Sequence, residues 1–531
     1  MLQPRQPAPA DYYQNNLQQA FSFVLERYAD MLSADDVDRL QQFLGASADA
    51  QRLLARLLTR AGPYFLRSTL NYAEVSSPDD AVAELHQRGL ISFQSGAADR
   101  LLKLYTKNAL CECFNLAATI RKLTKQQIIE HLLGRYTDRQ LAHRLGAAQA
   151  WVRLRHLSLW RLSRLLFFGS ASQDWSTFVR KDLGQIRYEE LPLSRPQYQD
   201  AAALSERLLA QHLQYLCYRL DEYPQLAPAL FSALTEAMRD KSAGDRLQRC
   251  ALLLAHWVER NLRPDLALRI YELTNKPPAR ERRVRILRRL KQPEAAETLR
   301  QEILNAPLSA KEQVFAERFG RRGAGFQPPV TEMRIRGPYD SIEEHALTEL
   351  VPDSGWGVHC ENSLVRSLTG LLYWPVIFAD VEDAFTNPFQ SAPHDLFNED
   401  FCQRRRVLLS KHERGLSDDS ELVKFLTLTF EAKNGTANRL VNWTLLQTVP
   451  LERWLEALPV KVIRALCQFL IRNLGDYRSG FPDLFICYGP DDFEFVEVKG
   501  PNDQLQPQQR AWFRVFDELK LPARVLKLKP Q

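Results

Sequence analysis

At 531 residues the chain is longer than one compact core holds, and domains of about 150 residues predict three or four of them. Its 45% hydrophobic and 25% charged residues exclude a disordered or fibrous protein. A formal charge of +6, from 70 basic and 64 acidic residues, is too balanced to establish nucleic-acid binding by itself.

Residues 1–95 read as a helical N-terminal domain. The first residues, MLQPRQPAPADYYQNN, lack the apolar stretch of a signal peptide, and no run of about 18 uncharged apolar residues follows. A cytoplasmic protein with no membrane partner is expected, nucleoid-associated when bound to DNA. From about Gln18 to Arg300 apolar residues recur at helical spacing, interrupted at Gly62–Pro63 and at Ser76–Ser77–Pro78, with almost no strand-like alternation. Arg60 and Arg67 flank the first break together with Tyr64 and Phe65. Basic and aromatic residues so interleaved can clamp a DNA backbone and stack on an exposed base; the same pattern fits a packed turn with solvated arginines.

Residues 96–195 form a second helical segment. The eight cysteines are scattered, and Cys111 and Cys113 make only a C-x-C without a second ligand pair, which favours buried reduced thiols over zinc. The stretch from Leu110 to Leu133 resembles a SAP segment. Leu123 to Leu133 reads as a helix with a polar start, where Lys122 and Lys125 beside the helix N-terminus suit a DNA phosphate. Pro192 to Pro196 marks the next linker.

Residues 196–325 continue as helices. In Ala201 to Leu216, the residues Leu204, Leu208, Leu209, His212 and Leu213 are predicted to share a face. Pro264-Asp265-Leu266-Ala267 recurs as Pro293-Glu294-Ala295-Ala296, a proline at a helix start followed by small residues. This fits a tetratricopeptide-like stack or a non-repeating bundle. The basic run Arg280, Arg282, Arg283, Arg285, Arg288, Arg289 and Lys291 winds around its helix, so one side can track DNA while the other pairs with acids.

The Gly- and Pro-rich stretch from Phe319 to Pro329 sets the boundary of a last, mixed α/β domain over residues 326–531. Strands are predicted at Leu484 to Tyr488 and Phe493 to Val498, a helix at Gln506 to Leu519 and a final strand at Ala523 to Leu528. Alternation puts Glu497 and Lys499 on one strand face and Val496 and Val498 on the other, while Asp483 begins the neighbouring strand. Two carboxylates and an ammonium meeting at one point suit metal-assisted phosphodiester hydrolysis, because hard oxygen ligands hold Mg²⁺ or Mn²⁺ and the lysine can position water.

Arg478-Ser479-Gly480-Phe481-Pro482-Asp483, followed by Val496-Glu497-Val498-Lys499-Gly500-Pro501-Asn502-Asp503, resembles the signature of virus-type replication-repair nuclease domains, of the PD-(D/E)xK superfamily. Gln509 matches a glutamine of that family on the flanking helix. Upstream, Gly357 to Ser363 is predicted to open a helix continuing to Trp374, where the resemblance implies a further metal ligand, Glu361; its plain reading is a first-turn Glu facing the helix dipole. The resemblance thus implies Glu361, Asp483, Glu497, Lys499 and Gln509 as the catalytic set and Glu361, Asp483, Glu497 and Val498 as the metal set. Arg366 and Arg478 join Arg60, Arg67, Lys122 and Lys125 as expected DNA-binding residues. Asn387-Pro388-Phe389-Gln390, with Pro393, Asp395 and Leu396, matches the wider family and is expected to shape the domain.

The whole chain resembles a bacterial member of the Fanconi-associated nuclease family. The implied architecture is an all-α N-terminal region with SAP-like and tetratricopeptide-like parts, followed by the nuclease domain. The implied activity is that of a monomeric 5′-flap endonuclease and 5′-to-3′ exonuclease of phosphodiesterase I type, acting on branched or flapped DNA in interstrand cross-link repair. The ubiquitin-binding zinc finger of animal members has no counterpart in the cysteine spacing, so no ubiquitin-binding module is expected. Two other readings compete: a dimeric Holliday-junction resolvase, disfavoured by the long stretch between Glu361 and Asp483, and a non-catalytic DNA-binding scaffold, disfavoured by the intact Asp483, Glu497 and Lys499.

Overall fold

Polar caps set many of the helix starts. Ser33, Ser47 and Thr106 each accept a hydrogen bond from the backbone N–H three residues on, and Thr124 forms a reciprocal capping box with Gln127. The computed structural model describes residues 12–60, 62–93, 98–148, 150–169, 186–191, 193, 198, 200–239, 244–321, 325–335 and 341–530. Apart from Leu193, the expected Pro192–Pro196 linker lies outside these residues, as do Ala61 and residues 322–324. The chain divides into two compact units, one of Met1–Gln197 with Phe385–Gln390 and one of Tyr198–Ala384 with Ser391–Gln531.

In the first unit, helices Tyr12–Tyr28, Ala34–Leu44 and Leu157–Phe168 share a core in which Phe21 meets Phe43 edge-on at 5.0 Å and stacks on Trp160 at 5.4 Å. Further along, Leu101, Leu102, Tyr105, Ile128, Leu132, Leu141 and Leu145 form a second apolar cluster, with the Tyr105 hydroxyl donating to the Leu145 carbonyl at 3.0 Å. The expectation of an all-α N-terminal region needs correction. Tyr64–Leu66, Ile91–Ser92 and Trp151–Leu154 pair as a three-stranded antiparallel sheet with Trp151–Leu154 central. The region is helix-rich, and strands this short carry too few residues to show alternation. Segment Phe385–Gln390 is tied into this unit by Asn387, whose side-chain amide donates to the Phe168 carbonyl at 2.9 Å.

In the second unit, helix Ala201–Tyr218 buries Leu204, Arg207, Ala210, Leu213 and Cys217. Leu208 and Leu209 are instead 40% and 43% exposed, which corrects the predicted face: several leucines in one helix make overlapping stripes, and tertiary packing selects one. Pro264 and Pro293 each open a helix, Pro264–Tyr271 of 8 residues and Pro293–Asn305 of 13. Within the basic helix Ala279–Arg289, Arg280 pairs with Glu312 and Arg282 with Glu259, both at 2.6 Å, and Arg285 with Glu281 at 2.8 Å. Most of that charge is thus spent inside the fold; among the described residues Arg288 and Lys291 have no carboxylate partner.

The unit ends in a five-stranded sheet with spatial order Val330–Ile335, Ala523–Pro530, Asp492–Lys499, Leu484–Gly489 and Trp356–His359. The first two pairings are parallel and the last two antiparallel. One face buries Leu484, Ile486, Val496, Val498, Leu526 and Leu528 with Ala346 of helix Ile342–Leu350. The other carries Phe485, Phe493 and Phe495, with Phe481, Trp512 and Phe516 packed against them from the Asp483 approach and from helix Pro507–Leu519. Glu497 and Lys499 lie on this second face, which delivers them to the helix carrying Gln509. The helices from Leu364 to Tyr477 fill the interval of chain between strands Trp356–His359 and Leu484–Gly489. There Asp395 takes Arg404 at 2.6 Å and the fully buried Arg405 at 2.7 Å.

Candidate active site

Glu497 is fully buried at the end of strand Asp492–Lys499. Its Oε1 accepts from Lys499 Nζ at 2.7 Å and from the Gln509 side-chain amide, while Oε2 is buried with no partner. An unpaired buried carboxylate oxygen is costly unless something of opposite charge reaches it. Gln509 is fixed in turn, because its Oε1 accepts from the Gln506 N–H at 2.9 Å in a capping box at the helix start. The approach of this helix depends on Gly480, whose φ of +93° suits glycine; a Cβ there would stand 2.7 Å from the Gln508 main chain.

Asp483 stands just ahead of strand Leu484–Gly489 and is half-buried. Its Oδ2 accepts from the Val498 N–H at 2.9 Å, and its carbonyl accepts from the Cys360 N–H at 2.8 Å. Val498 itself packs into the apolar face, so only its main chain reaches the site. Burial pushes the Asp483 carboxyl up, helped by the nearby carboxylates of Glu361 and Glu343, against the Val498 N–H and Lys499. Burial, with the Asp483 charge, pushes Glu497 further, to about 8, despite Lys499.

Glu361 is in the site but not on a helix. The segment predicted to begin a helix is the edge strand Trp356–His359, then a turn, and the helix itself spans Leu364–Leu372. Asn362 shapes that turn. It adopts φ +52°, donates to Glu361 Oε1 at 2.8 Å and accepts from the Phe481 N–H at 3.0 Å, so the Glu361 turn is pinned to the segment that carries Asp483. One oxygen each of Glu361 and Asp483 and one ring nitrogen of His359 lie within 4.8 Å of one another. Sequence reasoning passed over His359, a single histidine with no partner motif. Both this donor set and the buried, unpartnered Glu497 Oε2 fit a divalent cation.

Arg366 and Arg478 gather with Arg439. Arg366 donates to the Arg439 carbonyl at 2.7 Å, and the guanidinium groups of Arg439 and Arg478 lie 5.0 and 5.5 Å from the Phe397 ring centroid. None of the three has a carboxylate partner among the described residues, and the Arg366 Nε is buried without an acceptor. Burial lowers the Arg366 pKa, with help from the other two arginines. The remaining predicted DNA-binding residues belong to the first compact unit. Arg67 pairs with Asp79 at 2.8 Å and Arg60 donates to the Tyr72 hydroxyl at 2.7 Å. Tyr64 and Phe65 are each 3% exposed, so the expected stacking platform is core. Lys125 donates to the Lys103 carbonyl at 2.8 Å, leaving Lys122 exposed beside a helix start whose capping box already uses the Gln127 N–H.

A mixed five-stranded sheet between helices, with an aspartate leading one strand and Glu-x-Lys on the next, defines a nuclease of the PD-(D/E)xK type. Residues 419–530 match the VRR-NUC domain family, and residues 11–92 match the family described as FAN1, HTH domain. The chain is 32% identical to a Fanconi-associated nuclease 1 homolog of Pseudomonas aeruginosa over 98% of this chain and 96% of that relative. It belongs to the Fanconi-associated nuclease family and is a structure-specific DNA nuclease. A homolog from Arabidopsis thaliana is 25% identical over 99% of this chain and 68% of its own length. A crystal structure of paFAN1 bound to a two-nucleotide 5′-flap DNA with a gap superposes with a TM-score of 0.86 at 28% identity, covering 99% of this chain and 100% of that one. His359 and Glu361 precede the VRR-NUC match, so the site draws on residues beyond it.

Proposed function

We propose that this chain is a divalent-metal-dependent 5′-flap endonuclease and 5′-to-3′ exonuclease, acting as a cytoplasmic monomer on flapped DNA in interstrand cross-link repair. The observation that carries the chemistry is Glu497: one carboxylate oxygen meets Lys499 and Gln509 while the other is buried with no hydrogen-bond partner among the described residues. Similarity along the chain to a protein bound to 5′-flap DNA supports the substrate. Asp483, Glu361, Glu497 and the Val498 main chain would hold the cation, which when bound would supply positive charge to the phosphoryl oxygens. Lys499, anchored on Glu497, positions the attacking water, and Gln509 keeps the Glu497 carboxylate in its rotamer. The test is cleavage of an end-labelled 5′ flap with titrated Mg²⁺ or Mn²⁺. Absence of cutting with either ion overturns the reading, as does undiminished cutting in excess chelator.

The raised Glu497 pKa fixes a sign. In the metal-free fold Glu497 takes up a proton that the unfolded chain, at the ordinary 4.5, has already lost, so its contribution to stability declines as pH rises from about 5 to about 8. A cation binds the carboxylate form and gains affinity over the same window. In thermal melts without DNA, Mn²⁺ is therefore expected to raise Tm more at about pH 8.5 than at about pH 6. An equal shift at both would contradict the role of Glu497.

The arginines around Phe397 fit phosphates of the bound strand. Changing Arg366 and Arg439 together to Gln is expected to weaken flap binding and lower its log–log salt slope by about one unit for each phosphate left without its arginine. An unchanged slope removes them from the DNA path.

A further inference from the structure

His359 closes strand Trp356–His359 opposite Leu484, which places it next to Asp483. Its ring is exposed and has no hydrogen-bond or ion-pair partner among the described residues. One ring nitrogen lies within 4.8 Å of an oxygen of Glu361 and of Asp483, which are themselves within that distance of each other. Ligand atoms about 2.1 Å from a common cation stand about 3 to 4.2 Å apart, so small side-chain rotations bring all three onto one ion. Two of them are already oriented: Asn362 holds Glu361 Oε1 and the Val498 N–H holds Asp483 Oδ2. The second oxygen of each carboxylate stays available, and the Asn362 bond to the Phe481 N–H locks the two chain segments together.

An imidazole changes which ion such a position takes. Magnesium prefers oxygen donors and gives up its water reluctantly, whereas manganese lies on the series of divalent metals whose affinity for nitrogen donors exceeds that of magnesium. We propose that His359 supplies a nitrogen to the cation held by Glu361 and Asp483, and that this donor makes the position favour manganese over magnesium. The inference rests on the metal-dependent reading given above.

The experiment titrates Mn²⁺ alone into the full chain without DNA, followed by electron paramagnetic resonance, with pulsed detection of ¹⁴N coupling. Wild-type protein is expected to show imidazole coupling to bound Mn²⁺. In His359→Gln that coupling disappears and the Mn²⁺ dissociation constant rises at least about tenfold, while Mg²⁺, measured by competition, changes less than about twofold. Since the ring is exposed at a strand end, the substitution leaves the fold intact, which a melting curve checks. No ¹⁴N coupling in wild type, coupling that persists in His359→Gln, or equal weakening of both ions overturns the proposal. Glu361→Gln and Asp483→Asn separate the two levels. If both bind Mn²⁺ like wild type, the metal site itself is wrong; if both lose Mn²⁺ while His359→Gln does not, only the histidine ligand is wrong.

Discussion

Asp483→Asn and Glu497→Gln are each expected to lower flap cleavage about a thousandfold or more while leaving flap affinity unchanged or slightly tighter. Both substitutions keep side-chain shape. An asparagine at 483 can still accept from the Val498 N–H, and a glutamine at 497 can still meet Gln509, so the sheet end keeps its geometry. What disappears is negative charge at the point where the cation is proposed to be held, and losing that stabilisation would cost roughly 4 kcal/mol or more of barrier, at about 1.4 kcal/mol per tenfold. Affinity is expected to rest on phosphate contacts elsewhere, and removing a carboxylate near the strand would relieve repulsion. Single-turnover cleavage and equilibrium binding on the same labelled flap check this. Either variant retaining more than about a tenth of the wild-type rate would remove that residue from the metal set. The metal-free melts add an independent reading: with Glu497 replaced by Gln, the protein no longer takes up the proton that Glu497 binds on folding, so the decline in stability between about pH 5 and pH 8 flattens.

The hairpin Leu484–Gly489 and Asp492–Lys499, the helix Pro507–Leu519 and the last strand were legible because each pairs a clear period with a punctuating residue: Gly489 and Pro490 at the turn, Pro507 at the helix start. Val330–Ile335 was not legible. As an edge strand it is largely exposed, and Val330 itself is 57% exposed, so no buried face marks it. Trp356–His359 spans only four residues, and its run into Asn362 looks like a helix start because the positive φ at Asn362 is invisible in the letters. Glu361 therefore lies on a turn rather than a helix, and that turn still brings a carboxylate oxygen within 4.8 Å of one of Asp483. The same helix-like run conceals His359, because a strand end opposite Leu484 and a helix approach place that ring differently. The first-unit arginines show the converse: a basic and aromatic pattern was visible, but whether Tyr64 and Phe65 face solvent depends on a pairing with Trp151–Leu154, far along the chain.

Lys499→Ala is expected to slow single-turnover cleavage by about a hundredfold to a thousandfold, the range of a lost water-positioning or acid–base group, with flap affinity within about twofold of wild type. The fold explains why the loss is larger than that of one hydrogen bond. Lys499 Nζ sits 2.7 Å from Glu497 Oε1 and is one of the groups that restrain the rise of the Glu497 pKa. Without it, Glu497 of the metal-free protein keeps its proton to still higher pH, so at limiting metal the residual activity of Lys499→Ala should climb with pH beyond the point where the wild-type profile levels off. Lys499→Arg is expected to recover little rate: the planar guanidinium needs more room than an ammonium held between a fully buried carboxylate and the strand end. A lysine that served only as a phosphate anchor would behave otherwise on both counts. Its loss would weaken DNA binding and flatten the salt dependence by about one unit, with the single-turnover rate at saturating DNA and the position of the pH profile both unchanged.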